Sequence, residues 1–169
     1  MESRELLLNA FDNVEEAVRG AVESIDPGLL TARIGPDANT IAWLVWHLTR
    51  VQDDHVAEVA GRPQCYGEGG WADRFALPFD AAATGYGFSA DDVAATHVED
   101  PHLLVGYHAE VHRRTAEFLQ TVTAEDLDRV VDRRWDPPVT LGVRLVSVIT
   151  DDLQHAGQAG YLRGVLERR

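Results

Sequence analysis

Four long stretches of the chain repeat apolar residues at steps of three and four, which is the period of an amphipathic α-helix. Helix-breaking residues separate them, since proline cannot extend the hydrogen-bond ladder and glycine readily ends it. The stretches run from about Arg4 to Ile25, from Ile41 to Ala60, from Asp100 to Val122, and from about Thr140 to the carboxyl end. Four such helices must bury their apolar faces against one another. The pattern therefore predicts an all-α fold, an antiparallel four-helix bundle, in a single domain spanning residues 1–169.

Residues 62–99, here called the crossover, connect the second and third predicted helices. A connection this long is uncommon in a compact domain unless it is functional or disordered. Aromatic residues argue against disorder, because they can bury apolar surface on the helices. Those of the crossover are Tyr66, Trp71, Phe75, Phe79, Tyr86 and Phe88, interspersed with glycines. We expect an ordered crossover that helps to enclose the candidate site, with short helical turns at Trp71–Phe75 and Ser89–Ala95.

The charge balance excludes whole classes of partner. The chain has 28 acidic and 15 basic residues, a net charge of −13 with the histidines neutral. Nucleic-acid phosphates and anionic lipid headgroups would repel so acidic a surface, so neither nucleic acid nor a membrane is an expected partner. No apolar run approaches the ~18–20 residues that a membrane span needs. The expected location is the cytoplasm.

Two residue types limit the possible chemistry further. Every basic residue is an arginine, so the chain has no lysine for a Schiff base or a phosphate-binding loop. Cys65 is the single cysteine, which excludes an internal disulfide and a cysteine-based zinc cage. No neighbour in sequence would lower the pKa of that thiol, so a nucleophilic role for Cys65 is not favoured.

The fourth helical stretch places a histidine in its apolar seam. Leu141, Val148, His155 and Leu162 are spaced by seven, so they lie almost on one line that faces the core. Asp151 lies one turn before His155 and ~40° round the same face. A carboxylate and an imidazole near an apolar seam need a partner. That partner is either a divalent cation or only the hydrogen bond between the two side chains.

The second helical stretch offers a third ligand, His47, at the edge of its apolar face. The bulky neighbours in Trp43-Leu44-Val45-Trp46-His47-Leu48 predict a partly desolvated imidazole, which favours the neutral, metal-binding form. Two ligands from one helical turn and one from a facing helix would leave positions open for water or substrate. The simpler alternative for His47 is a core-edge histidine that binds a carbonyl group.

Other histidines compete for this role. His108 and His112 form a one-turn pair on the third helical stretch, but the adjacent Arg113-Arg114 indicates a solvated side. They are therefore expected not to be ligands. His55, eight residues after His47, is expected at the edge of the core or next to the ligands.

The segment from Asp151 to Gln158, which ends in His-Ala-Gly-Gln, resembles the DinB/YfiT-like metalloenzyme superfamily. Trp43–Leu48 resembles the histidine-bearing segment of the same group, and the similarity extends over all four helices in order. The glycine-rich crossover resembles that of an actinobacterial branch. This resemblance implies a divalent metal held by His47, Asp151 and His155, and a homodimer. Many relatives have histidine in place of Asp151, whereas the related mycothiol-dependent maleylpyruvate isomerase has an acidic residue there.

The resemblance also implies a class of reaction. Relatives use low-molecular-weight thiols such as mycothiol, and a bound Zn²⁺, or less favourably Ni²⁺, would lower the pKa of such a thiol. The expected activity is a thiol-dependent transferase or isomerase reaction on a small-molecule substrate. The alternative is a non-catalytic metal-binding or small-ligand-binding protein of a stress response, so enzymatic turnover is left open.

Overall fold

Helices form most of the computed structural model, which describes residues 2–169. Four of them are long: α1 (Ser3–Val22), α3 (Ile41–Ala60), α7 (Pro101–Leu119) and α8 (Leu141–Leu166). Four are short: α2 (Pro27–Leu30), α4 (Cys65–Glu68), α5 (Trp71–Phe75) and α6 (Ala90–Ala95). The mainly helical class is therefore confirmed. None of the described helices is long and apolar enough to cross a membrane.

Capping residues set the ends of the long helices close to the predicted positions. Thr40 begins α3, and its hydroxyl oxygen accepts a hydrogen bond from the backbone N–H of Trp43 at 3.0 Å. Gly61 ends α3 in the left-handed conformation, with a φ of 63°. Asp100 caps α7, whose first residue is a proline. Helix α1 ends at Val22 and thus before the predicted Ile25.

A small antiparallel sheet departs from the all-α prediction. Strand β1 (Val130–Asp132) pairs with β2 (Val139–Thr140), and Asp132 lies opposite Val139. A single turn of 3₁₀ helix, Glu125–Asp128, precedes the sheet. Strands this short contain no full alternation of apolar and polar residues, so periodicity does not reveal them.

Side-chain contacts give the relative directions of the long helices. Helices α3 and α8 are antiparallel, because His47 lies beside His155 whereas His55 lies beside Arg144. Helices α3 and α7 run in the same direction: Thr49 contacts His108, and Gln52, one turn later, contacts Thr115. The expected antiparallel arrangement does not hold for this pair. A helix of 20 residues is ~30 Å long, so the chain needs a long crossover to return to the same end before α7 begins.

The crossover is ordered and packs on the helices, as its aromatic residues predicted. Trp71 and Phe75 are buried in one cluster with Trp46 and Tyr107. Phe79 and Phe88 contact the Trp46 ring, with centroid distances of 6.3 and 6.1 Å. Tyr86 is the exception, since it is 91% exposed. The two short helices predicted in this segment are present as α5 and α6.

A buried arginine on α3 binds the second half of the crossover. The Arg50 side chain is fully buried, and its guanidinium donates to the carbonyl oxygens of Ala81 and Ala83, both at 3.1 Å. It also donates to Gln64 Oε1 at 2.8 Å. A buried guanidinium is stable only when its donors are satisfied and its charge is balanced. Asp53, one turn away at 3.5 Å, balances the charge.

Asp53 in turn binds the first half of the crossover. Its carboxylate accepts hydrogen bonds from the backbone N–H groups of Cys65 and Tyr66, at 2.9 and 2.8 Å. It also accepts the hydroxyl proton of Tyr107 from α7, at 2.8 Å. One turn of α3 therefore holds both halves of the crossover and one residue of α7.

We expect Arg50→Met to lower the free energy of unfolding by about 3–5 kcal/mol, because it leaves the Asp53 carboxylate buried without its cation. The crossover should also become sensitive to protease between residues 77 and 88. Urea denaturation and limited proteolysis would measure the two effects. Arg19→Met is the matched control, because Arg19 is exposed and pairs with Glu23; its effect should stay below ~0.5 kcal/mol. Equal stability of the two variants would contradict this role of Arg50.

Candidate metal centre

His47 from α3 meets Asp151 and His155 from α8. One ligand atom from each side chain lies within 4.8 Å of the other two. Within residues 2–169 these three form the one such group of histidine, cysteine, aspartate or glutamate side chains. His155 Nε2 is 3.7 Å from Asp151 Oδ1, and the two imidazole centroids are 4.9 Å apart. The structure thus brings together the three residues that the sequence indicated.

A carbonyl group of the crossover determines which nitrogen His47 presents. His47 Nδ1 is 2.6 Å from the Thr84 carbonyl oxygen. A carbonyl only accepts hydrogen bonds, so Nδ1 carries the proton and the lone pair lies on Nε2. Burial is the main effect on the titration of His47 and lowers its pKa below the ordinary 6.5. The imidazole is therefore neutral at pH 7, as a metal ligand must be.

Gln158 determines which ring nitrogen of His155 carries a proton in the same way. His155 Nδ1 is 3.1 Å from Gln158 Oε1, an amide oxygen that accepts the Nδ1 proton. The lone pair of His155 therefore lies on Nε2, on the side of Asp151. This contact gives a physical role to the Gly-Gln pair that follows the histidine in sequence. In both imidazoles Nε2 is consequently the nitrogen left available to a metal ion.

The donor set fits a divalent cation. Asp151 Oδ2 is buried and has no hydrogen-bond partner among the described residues. Imidazole nitrogens and a carboxylate are ligands that zinc and nickel accept.

Trp43 covers the apolar side of the group. Its ring stacks on the His47 imidazole at a centroid distance of 4.6 Å, and it meets His155 edge-on at 6.0 Å. An indole at this position keeps water from one side of the imidazoles and lowers the local dielectric constant.

The crossover covers a second side at Gly85. This residue has a φ of +92°, and a Cβ atom built on it would lie 2.9 Å from His47 Nδ1 and 3.1 Å from the Trp46 ring. Only glycine can bring the backbone so close to the imidazole in this conformation. The expectation that the crossover helps to enclose the site is confirmed at Thr84 and Gly85.

A cavity of about 490 Å³ opens beside the three residues. Its volume suits a small molecule. The lining comes from α3, α8 and the crossover: His47, Val51, Asp54, His55, Thr84, Tyr86, Ser147, Val148 and Asp151. The candidate metal centre therefore has an open side that a small substrate can reach.

The competing histidines lie elsewhere, but not where the sequence indicated. His108 is 1% exposed and contacts the Thr49 hydroxyl at 3.2 Å, so the solvated side that Arg113-Arg114 indicated for the pair is wrong. Arg113 and Arg114 did not report on its environment, because at 100° per residue they point away from the His108 face. Burial lowers the pKa of His108 to about 3. His112 lies 3.2 Å from Asp12 of α1 and is also mostly buried.

Cys65 is buried, and burial with the nearby Asp53 raises the pKa of its thiol to about 12. A thiol with this pKa is almost entirely protonated at pH 7 and is a poor nucleophile. The low expectation for Cys65 as a nucleophile agrees with this environment.

Sequence reasoning missed several residues that shape the site. Thr84 and Gly85 act through the backbone, which residue type does not reveal. Arg50 and Asp53 carried a usable signal, because opposite charges three residues apart inside an otherwise apolar helix indicate a buried pair. Asp152, next to the Asp151 ligand candidate, is fully buried, and burial raises its pKa well above the ordinary range.

We expect Gly85→Ala to separate the Thr84 carbonyl from His47, because the added Cβ would overlap the imidazole. The ¹⁵N resonances of the His47 ring should then show a mixture of tautomers in place of a proton fixed on Nδ1. Gly87→Ala is the matched control: Gly87 has a φ of +74° with no atom within 4 Å of the added Cβ. Both variants place an alanine at a positive φ, which costs ~1 kcal/mol, but only Gly85→Ala should change the tautomer of His47. Identical His47 spectra in both variants would refute the close approach.

The chain matches the family model of mycothiol S-transferase over residues 6–168. It is also similar to a solved structure described as the crystal structure of the conserved protein of locus from Enterococcus faecalis. That similarity has a TM-score of 0.92 and 27% identity, and it covers 100% of this chain and 99% of the other. No curated protein matches the sequence significantly. The DinB/YfiT-like resemblance is confirmed, and the chain belongs to the mycothiol S-transferase family.

Proposed function

We propose that the protein is a metal-dependent thiol S-transferase that joins a low-molecular-weight thiol of the mycothiol type to a small electrophile. The observation that carries this proposal is the convergence of the His47 imidazole, the His155 imidazole and the Asp151 carboxylate, with one ligand atom of each within 4.8 Å of the other two, beside an open cavity. Membership of the mycothiol S-transferase family supports the reaction class. The proposal includes an isomerase reaction with the same thiol, because that reaction also begins with attack of the thiol on the substrate.

His47, Asp151 and His155 would hold the cation, with Zn²⁺ favoured and Ni²⁺ second. A cation with these ligands would supply a Lewis acid that lowers the pKa of a thiol and favours its anionic form. Asp151 is a harder ligand than the histidine found in many relatives, and this difference affects which metal binds most tightly.

The residues around the ligands have defined tasks in this proposal. Thr84 and Gln158 keep the protons on Nδ1 of the two imidazoles and so leave Nε2 available. Trp43 and Gly85 exclude water from two sides of the group, which strengthens electrostatic interactions there. The cavity accepts the electrophile from the remaining side.

The packing of the long helices supports a second proposal, which concerns the architecture. We propose that α1, α3, α7 and α8 form a four-helix bundle within one domain, residues 1–169, with α3 and α7 parallel. Burial of Leu141, Val148 and Leu162 along one face of α8 supports it. The homodimer and the cytoplasmic location indicated by the sequence stay predictions.

We expect one Zn²⁺ per chain after gentle purification or reconstitution, and its loss in His155→Ala, because removal of one ligand of three typically destroys such a site. Elemental analysis and competition with a chromogenic chelator would measure stoichiometry and affinity.

The double variant His108→Gln, His112→Gln is the control for the metal measurement. It removes two imidazoles from the described structure but none from the ligand group, so its zinc content should equal that of the wild type. Full zinc content in His155→Ala, or loss of zinc in the double variant, would show that the ligand assignment is wrong.

We expect the zinc-loaded protein to accelerate the reaction of mycothiol with chlorodinitrobenzene by about tenfold or more over the uncatalysed rate. The sulfur forms a bond to the ring carbon, chloride leaves with the bonding pair, and the thiol proton passes to water. Absorbance of the thioether measures the rate, and glutathione in place of mycothiol tests the choice of thiol. Bound zinc with no acceleration for several electrophiles would favour the alternative, a non-catalytic metal-binding or small-ligand-binding protein.

A further inference from the structure

We propose that His55 donates a hydrogen bond from Nε2–H to an uncharged acceptor oxygen, such as a ketone carbonyl, of the substrate in the cavity beside the metal centre. His55 would thus be a specificity-determining residue that selects electrophiles with such an oxygen a few bonds from the carbon that the thiol attacks. This inference rests on the proposed function for the identity of the reaction. The hydrogen bond from His55 to the ligand can be measured without turnover.

The position of one proton on His55 follows from its neighbour. His55 Nδ1 lies 2.7 Å from Arg144 Nη1. A guanidinium has donors and no acceptor, and it keeps its charge at every physiological pH. His55 Nδ1 must therefore be the acceptor, which makes the imidazole neutral and places its proton on Nε2.

Arg144 is itself held in place, so this tautomer is built into the fold. Its side chain is buried, and Nη2 donates to Asp132 Oδ2 at 3.1 Å. Asp132, on strand β1, also accepts hydrogen bonds from the backbone and side chain of Arg134. The charge of Arg144 is consequently offset by Asp132, and the guanidinium is not free to bind a substrate.

The surroundings of His55 keep it uncharged. Burial is the larger effect and the Arg144 cation the second, and both lower the pKa of His55 below 6.5. Asp54, Glu58 and Asp151 act in the opposite direction without reversing the shift. Near neutral pH the side chain therefore presents one N–H donor and no positive charge.

The His55 side chain lines the cavity and has one ring nitrogen without a partner in the described part of the chain. His55 lines the same 490 Å³ cavity as His47 and Asp151, and its side chain is 34% exposed. Nε2 makes no hydrogen bond with residues 2–169 that would occupy its proton. An N–H donor that is fixed in orientation and left open to a cavity is suited to bind an acceptor on a ligand.

The cavity favours an uncharged acceptor over a carboxylate. Asp54, the residue before His55, lines it, so an anionic group at His55 would meet a carboxylate, while the guanidinium beside His55 is already paired with Asp132. His55 follows His47 by eight residues, ~12 Å along the axis of α3. This spacing places the acceptor oxygen several bonds away from the reacting carbon.

Two matched electrophiles test the selection. One is a bromoketone whose carbonyl lies three carbons from the bromine-bearing carbon, and the other is the alkene in which a methylene group replaces the carbonyl oxygen. In both reactions the thiol sulfur bonds to carbon, bromide leaves with the electron pair, and the thiol proton passes to water. We expect wild-type kcat/KM to favour the ketone by about five- to tenfold, the worth of one neutral hydrogen bond, mostly through KM.

Variants of His55 separate this role from a structural one. His55→Leu should lose the preference for the ketone, so that the ratio of the two kcat/KM values falls to about one, while its zinc content stays that of the wild type. His55→Gln places an amide N–H near the position of Nε2 and should restore part of the preference. A preference that persists in His55→Leu would overturn the proposal.

Ligand binding followed by NMR tests the contact at His55 without relying on enzymatic activity. The ¹⁵N spectrum of the histidine rings should show His55 with its proton on Nε2, and saturation with the bromine-free ketone should shift that resonance. The corresponding bromine-free alkene should not shift it. A proton on Nδ1, or an unmoved resonance at saturation, would overturn the inference. A shift without any thiol transfer would refute the proposed function and leave the contact at His55 in place.

Arg144 is a positioning residue in this scheme, and it has its own matched pair. Arg144→Met removes the donor to His55 Nδ1 and should yield a mixture of tautomers together with a weaker preference for the ketone. Arg144→Gln retains an amide donor and should keep more of the proton on Nε2. Equal tautomer populations in the two variants would show that Arg144 does not set the proton of His55.

Discussion

The buried pair of Arg50 and Asp53 is the interaction on which the site depends. Ions removed from water are tolerated only when their hydrogen bonds are completed, and the backbone of the crossover completes them. Asp53 binds the amides of residues 65 and 66, and Arg50 binds the carbonyls of residues 81 and 83. The next residues of the chain, Thr84 and Gly85, therefore arrive at His47, one helical turn before Arg50. An ion pair outside the metal centre thus places the group that orients its first ligand.

Three parts of the molecule contribute separate properties to the centre. Helix α8 supplies two candidate ligand side chains within one turn, helix α3 supplies the third candidate, and the crossover determines which nitrogen of His47 is free. The hairpin of β1 and β2 contributes at the far end of the cavity, because its Asp132 orients Arg144 and hence His55. The imidazoles of His47 and His55 are consequently oriented by different hydrogen-bond chains that share no residue.

The sequence pointed to the three candidate ligands, which the structure brings together, because the evidence for them was local. A spacing of seven places His155 on the line of Leu141 and Val148 whatever surrounds the helix, and Asp151 follows from the helical turn. The same reasoning failed for the pair of His108 and His112, where the two arginines next to His112 were taken as a sign of solvent. Residues adjacent in sequence lie ~100° apart on a helix, so their polarity says little about the face that the two histidines occupy. The directions of the helices were equally hidden, since α3 and α7 are parallel only because of the path of the crossover.

The sequence by itself determined the helices, most of their ends, the candidate ligands and the family, because each depends on periodicity, capping residues or a short motif. Only the tertiary structure decided the protonation pattern of the site. His47 takes its tautomer from a carbonyl 37 residues away, and His55 takes its tautomer from an arginine 89 residues away. A hydrogen bond between distant residues depends on distance and angle to within a few tenths of an ångström. These distances and angles are set when the helices pack, and periodicity or motifs along the chain do not predict them.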